Sequence, residues 1–330
     1  MYVMSRNILG VKVDFLSKSD VLEKVDALLD TGRNMGEEGT VDEIAVNGGE
    51  VSVDLVGKEG GSVEWPANTN LLCTTNPEFV MSAQKDPEFK DLINESFLSV
   101  PDGVGMLYAN YYLKNLQKGN LIGDFFRGLL FGLTVPFSGE NSEIKKNLGE
   151  RIAGVSLVYD LCALAERKNY SVFLLGGWPT DFFGHPLRAP GYDLAQKAGV
   201  ALKKLYPDLN LVGATSALSC GKGDDEKTIE FVRSALKARG LGKLDILIVC
   251  YGQKNQEKWI ARNGPKIPVT LGIGAGGSFD YIFGTKAWAP KWIRKIHLEW
   301  LFRLVTQPWR LKRVFTAFPI FPLKVFLSSR

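Results

Sequence analysis

The stretch LDILIVCYGQKNQEKW, residues 244–259, decides the fold. Apart from Asp245, its first eight residues are apolar and do not alternate with polar ones. Gly252 then breaks the run, and a polar, helix-forming segment follows. A strand that alternates faces one solvated side; a strand that does not is buried on both sides. The same succession recurs in SVFLLGG (171–177), NLVG (210–213) and IPVTLGIGAGG (267–277). Helical patterns are predicted near 155–168, 225–239 and 255–262, with a loop and helix running up to Tyr206. Apolar strands alternating with amphipathic helices make an α/β fold, a parallel sheet covered on both faces. In such sheets ligands bind beyond the carboxyl ends of the strands. Three glycine-bearing ends fall there: LLGG (174–177), CYGQKNQE (250–257) and GIGAGGSFD (272–280).

Upstream, NILGVKVDFL (7–16) reads as one strand. SKSDVLEKVDALLDTG (17–32) reads as a helix, with Asp20 and Glu23 as a capping box and Gly32 as its stop. NLLCTT (70–75) is a strand; Asn76 caps the next helix, with Pro77 first in it and Glu78 in its first turn. Asp86-Pro87-Glu88 repeats that signal. Asp102 stands between Pro101 and Gly103, just before Val104, Leu107, Tyr108, Tyr111 and Tyr112 at helical spacing. Taken alone it reads as a helix cap; at the mouth of a parallel sheet it is also a candidate base.

Two segments interrupt the pattern, at about 33–68 and 114–150. Residues 33–64 hold seven glycines and eight acids against two bases, which suits an acidic insertion. In the second, LIGDFFRGLLFGLTVPF (121–137) is apolar but carries Asp124 and Arg127. Too short and polar to span a bilayer, it fits an interfacial helix as well as a buried one.

Composition narrows the function. The 330 residues are 45% hydrophobic, enough for a large core, with no apolar run of 18 and no signal-peptide pattern at the start. Cys73, Cys162, Cys220 and Cys250 form no CxxC pair, which suits reduced thiols in a cytosolic protein. Two histidines, His185 and His297, exclude a histidine-rich metal site, and neither lies in a nucleophile motif. The net charge of +4 is uneven. Residues 286–330 hold ten Lys/Arg and a single acid, Glu299, hence +9, leaving −5 for the rest. Four of the seven tryptophans, Trp288, Trp292, Trp300 and Trp309, lie there too. A basic, aromatic end implies an anionic partner: nucleic acid, membrane or nucleotide phosphate. Gly272, Gly274 and Gly277 match GxGxxG, which would suit an NAD(P)-dependent oxidoreductase. The fingerprint wants a βαβ unit with an acidic residue about 20 positions on; here the basic, tryptophan-rich end follows with no clear next strand, so the match carries little weight. No P-loop occurs.

In order along the chain, TTNPE, VPDGVG, ERIAG, LLGG, GQKNQEKWI, GGSFDYIFG and APKWIRKIHLEWLFRL resemble the TagA/WecG/CpsF family, glycosyltransferase family 26. The resemblance covers nearly all the chain outside the two insertions. It implies a Rossmann-like α/β core of the GT-E type over 1–285 and a helical appendage over 286–330 that meets the membrane and completes the active site. It also implies inverting transfer of an N-acetylmannosamine-type sugar from a UDP-sugar donor to a polyprenyl-diphosphate-linked N-acetylglucosamine, for teichoic acid or another surface polymer. The protein would be peripheral on the inner face of the cell membrane. It would need no metal or other cofactor and no nucleic acid; a homo-oligomer is compatible. By position, Asp102 matches the general base, Thr74 the active-site threonine and Arg151 the R-x-x-G arginine. Gln256, Glu257 and Asp280 match further motif positions, Asp280 as a partner for the uracil imide. Arg303, Arg310 and Arg313 match the appendage arginines, expected on the leaving diphosphate with the glycine loops at Gly176, Gly177, Gly252, Gly276 and Gly277. Asn76 joins Thr74, Arg151 and Gln256 in holding the sugar. Ser156, Gln253-Lys254-Asn255 and Trp288 depart from the family pattern, where Asp, Ala-Pro-Lys and Arg are usual; this bears on which sugar is used. Outside the resemblance, the basic end by itself would also suit a non-enzymatic membrane- or nucleic-acid-binding module.

Overall fold

The computed structural model describes residues 5–37, 69–115, 120, 123, 126–127, 149–178, 191–290, 292–293 and 298–329. The chain opens on a hairpin, not on the single strand predicted: β1 (Ser5–Ile8) pairs antiparallel with β2 (Val11–Asp14). Leu9 and Gly10 turn it with φ of 54° and 80°. A two-residue hairpin needs positive φ at both central positions, and Leu9 carries no signal for it. Helix α1 (Lys18–Glu37) differs from expectation at both ends. Its capping pair is Ser17 with Asp20, each accepting the other's main-chain N–H at 3.2 and 3.3 Å. It also runs through Gly32. Arg33 is anchored to Asp245 at 2.9 Å and to the Asn169 carbonyl at 2.7 Å, and the Lys243 ammonium donates to the Gly32 carbonyl at 2.8 Å. The acidic segment therefore begins as helix; residues 38–68, and nearly all of 121–137, lie outside the described residues.

Six strands form one parallel sheet: β3 (Asn70–Thr75), β4 (Leu98–Pro101), β5 (Val172–Gly176), β6 (Leu211–Thr215), β7 (Leu244–Cys250) and β8 (Val269–Gly274). Their order is β4-β3-β8-β7-β5-β6. The connecting helices are α2 (Pro77–Ala83), α3 (Pro87–Glu95), α4 (Val104–Asn115), α5 (Gly154–Lys168), α6 (Leu194–Leu205), α7 (Asp225–Ala238), α8 (Asn255–Asn263) and α9 (Ser278–Phe283). Side chains of β7 point alternately to two cores. Ile246 and Ile248 pack with α1, α5, α6 and α9, while Leu247 and Val249 pack with α2, α3, α7 and α8. Both faces are buried, which is why the run from Leu244 shows no alternation. Among the described residues no helix is long and apolar enough to cross a membrane.

After α9 the chain crosses back as α10 (Glu299–Thr306), α11 (Leu311–Phe315) and α12 (Phe321–Ser328). The appendage is not a separate module. Phe321 and Val325 of α12 are buried in the core that Phe79, Phe89 and Trp259 share.

The glycines of GIGAGG have a packing cause. A Cβ on Gly272 would lie 2.5 Å from Ile260 Cγ2, and one on Gly274 would lie 2.2 Å from Glu257 Oε1. They let α8 lie against β8, and among the described residues no strand follows. The first turn of α8 then braces the rim. Gln256 accepts the Gly276 N–H at 2.9 Å and donates to Glu257 at 2.7 Å; the Lys254 N–H donates to Glu257 at 2.6 Å.

Glu257 is fully buried, and burial pushes its carboxyl up to about 7 despite the hydrogen bonds from Gln256 and the main chain. An unfolded-chain Glu titrates near ~4.3. Between those values the native state holds a proton that the unfolded chain has released. Stability therefore falls as pH rises through this window, by about 1.4 kcal/mol per unit, and the loss is complete above it. Glu257→Gln removes that slope. Urea unfolding at pH 5 and pH 8 should show the variant gaining on wild type by roughly 2–4 kcal/mol between the two. An unchanged difference at the two pH values would show that Glu257 is already ionised when folded.

Candidate active site

The rim at the carboxyl ends of the strands is assembled from backbone bonds first. The Asp102 N–H donates to the Thr75 carbonyl at 2.8 Å, joining the ends of β3 and β4. The Ile152 N–H donates to the Pro101 carbonyl at 3.0 Å, which seats residues 151–153 beside them. The Asp102 carboxylate faces the N–H of Gly154, the first residue of α5, and does not cap α4. Burial pushes its carboxyl up, against the Arg151 and Arg303 guanidinium groups, and the net shift is upward. Such a carboxylate is partly exposed at the cleft floor and more basic than an ordinary one.

The appendage closes over this floor. Glu299 accepts from Arg151 at 2.9 Å and is also paired with Arg303, four residues further along α10. Burial would raise the Glu299 carboxyl, but Arg303 and Arg151 outweigh it and hold it low. The Arg303 guanidinium lies 5.4 Å from the centroid of the Tyr281 ring, on α9. Arg313 pairs with Glu78 of α2 at 2.6 Å. Arg310 bonds the neutral, buried Gln307 at 2.6 Å and has no carboxylate partner among the described residues. Burial, with Arg313 and Arg303 nearby, brings its guanidinium down to about 10. Three like charges crowded at one edge, one of them without a counter-charge, make a site for an anion.

The other sequence-derived residues fall into two groups. Gly252 and Gly276 have φ of 84° and 57° and open space where a Cβ would be, so the positive φ, and not packing, favours glycine at both. Gly176 and Gly177 also have positive φ, but a side chain there would strike Tyr251 and Phe279 at 2.7 Å; they serve packing. Gly277 adjoins Asp280, with 3.5 Å between its Cβ position and the carboxylate. The Thr74 hydroxyl donates to the Gly274 carbonyl at 3.3 Å. Asn76 caps α2, accepting from Glu78 and Phe79 at 2.9 and 3.1 Å. Gln256 and Glu257 are buried and bond the chain's own atoms. Asp280 is buried and held by Lys286 at 2.7 Å and Thr285 at 2.9 Å. The structure thus gathers Asp102, Arg151, Arg303 and Arg310 at one place and sets Gln256, Glu257 and Asp280 beneath the loops. Reading the sequence for function missed Glu299, Gln307 and Tyr281. For Glu299 a signal existed: it is the single acid among ten bases in residues 286–330.

No three His, Cys, Asp or Glu side chains come together as a metal cluster among the described residues. A model of the glycosyl transferase WecG/TagA/CpsF family matches residues 61–129 and 142–330. The N-acetylglucosaminyldiphosphoundecaprenol N-acetyl-beta-D-mannosaminyltransferase of Bacillus subtilis (strain 168) is 26% identical over 260 residues, covering 79% of this chain and 80% of that protein. The protein of the same name from Staphylococcus aureus (strain NCTC 8325 / PS 47) is 25% identical over 263 residues, covering 80% and 82%. The family match includes every segment that converges on Asp102, from Thr74 to Arg313, and the chain belongs to the WecG/TagA/CpsF family of glycosyl transferases.

Proposed function

We infer that this protein transfers an N-acetylmannosamine-type sugar, with inversion, from a UDP-sugar to a polyprenyl-diphosphate-linked N-acetylglucosamine. The observation that carries the reading is the meeting of one raised carboxylate, Asp102, with the arginines of the appendage at the sheet's carboxyl rim. The names of the relatives supply the acceptor and the sugar. Asp102 takes the proton from the acceptor hydroxyl as that oxygen attacks the anomeric carbon. Its raised carboxyl suits a base working near neutral pH. The departing diphosphate gathers negative charge, and Arg310 is the guanidinium best placed to meet it, because among the described residues it bonds a neutral amide and no carboxylate. Arg303 adds a second positive charge, and Gly252 and Gly276 let the main chain approach. Arg151 and Arg303, locked through Glu299, are held beside Asp102 without moving when substrate arrives. Thr74 and Asn76 border the sugar, while Gln256, Glu257 and Asp280 act at one remove by shaping the loops. Arginines supply the charge that a metal would otherwise supply.

The lipid acceptor accounts for the outer surface of the appendage. Trp300, Val305, Leu311, Phe315 and Phe318 are exposed there, among basic residues such as Lys312. Apolar side chains with basic neighbours suit the headgroup region of an anionic leaflet. The protein would work as a peripheral protein on the inner face of the cell membrane.

Asp102→Asn should fold and still be stabilised by UDP, yet lose roughly 10² to 10⁴ in transfer rate, the usual contribution of a general base. Near-normal transfer by this variant would remove Asp102 from that role. EDTA should leave transfer intact; a loss on chelation that Mg²⁺ restores would assign the diphosphate to a metal. Val305→Asp combined with Leu311→Asp should abolish sedimentation with anionic vesicles at low salt while sparing transfer to a soluble acceptor. Because Phe321 and Val325 belong to the core, these surface changes test membrane contact where deletion of the whole appendage would not. Equal sedimentation of variant and wild type would move the membrane contact elsewhere.

A further inference from the structure

Tyr281 is the residue of the rim that the reaction, as described, does not yet use. It lies on α9, beside Asp280, and is 9% exposed. Its hydroxyl is buried and has no hydrogen-bond partner among the described residues. Leaving a buried hydroxyl unmet is costly, and a buried Tyr ordinarily finds a partner. The ring itself is fully engaged. Trp288 meets it edge-on at 6.0 Å between centroids, and the Arg303 guanidinium sits over it at 5.4 Å. These contacts hold the ring in place but do nothing for the oxygen. Arg303 and Arg310 both lie near Tyr281. The orphaned donor therefore lies among the arginines, one of which, Arg310, is itself without a counter-charge among the described residues.

We propose that Tyr281 is a binding residue for the diphosphate, its hydroxyl donating a hydrogen bond to a phosphate oxygen that also meets Arg310. The inference rests on the transferase reading above and adds a residue to that site. An O–H donor aimed at an anion supplies a bond that a phenylalanine of the same shape does not. Two diphosphates could supply the oxygen, that of the nucleotide donor and that of the prenyl acceptor. Both present the same chemistry to the hydroxyl.

Tyr281→Phe keeps the ring and its contacts with Trp288 and Arg303, and removes an oxygen that bonds none of the described residues. The full-length variant should therefore melt at the wild-type temperature or above it. Thermal unfolding of both proteins is then measured with UDP and, separately, with farnesyl diphosphate, each protein being compared with its own ligand-free state. The expected result is a ligand-induced rise that the variant loses in large part. This corresponds to an affinity about tenfold weaker or more, the worth of a hydrogen bond to a charged group. Loss confined to UDP places the hydroxyl on the donor's diphosphate, and loss confined to farnesyl diphosphate places it on the acceptor's; either supports the proposal. A wild-type rise that the variant keeps undiminished with both ligands overturns the proposal and leaves the transferase reading standing. No rise in wild type with either ligand overturns that reading, and this inference with it.

Discussion

Glu299 sits between Arg151, at the entrance to α5, and Arg303, one turn further along its own helix. One partly buried carboxylate thus neutralises two cations and ties the appendage to the sheet's rim. The rest of the site depends on that bridge. With Glu299 in place, both guanidinium groups stay close enough to act on Asp102, opposing the effect of its burial. Without it, two half-buried arginines on the same rim would lose the carboxylate they share.

The balance around the bridge explains the polarity of the cleft. Glu299 and Glu78 each hold an arginine of the appendage, and Arg310 between them is held by an amide alone. Among the described residues, the appendage arginines Arg303 and Arg313 are thus paired with carboxylates and Arg310 is not. Tyr281, whose ring lies under Arg303, keeps a buried hydroxyl without a hydrogen-bond partner among the described residues.

Packing determines where this cluster can form. Phe321 and Val325 of α12 are buried with the side chains of α2, α3 and α8, so the basic end of the chain is pinned across the sheet's rim at both sides. The glycines of β8 play an equal part, because only a bare α-carbon lets the Glu257 carboxylate and Ile260 come so near the strand. Gln256 and Glu257 thereby become struts under the Gly276 loop.

The parallel sheet was legible in the sequence because strands buried on both faces carry unbroken apolar runs and end in glycine turns. The caps at Asn76 and Asp86 were legible because each cap is a contact over three residues. The ordered motifs also pointed to the family and to Asp102. The hairpin at Leu9-Gly10 was not legible, since a leucine at positive φ has no sequence signature, and neither was the continuation of α1 past Gly32, which depends on Arg33 reaching Asp245. The same holds for the site. Local sequence determined which side chains stand at strand ends, because a strand's end is set by its own residues. Only the tertiary structure decided that Glu299 bridges Arg151 and Arg303, that Asp280 is taken up by Lys286, and that Arg310 is left without a carboxylate among the described residues. Those outcomes depend on pairings between distant segments, and no spacing along the chain encodes which charge a folded neighbour will neutralise.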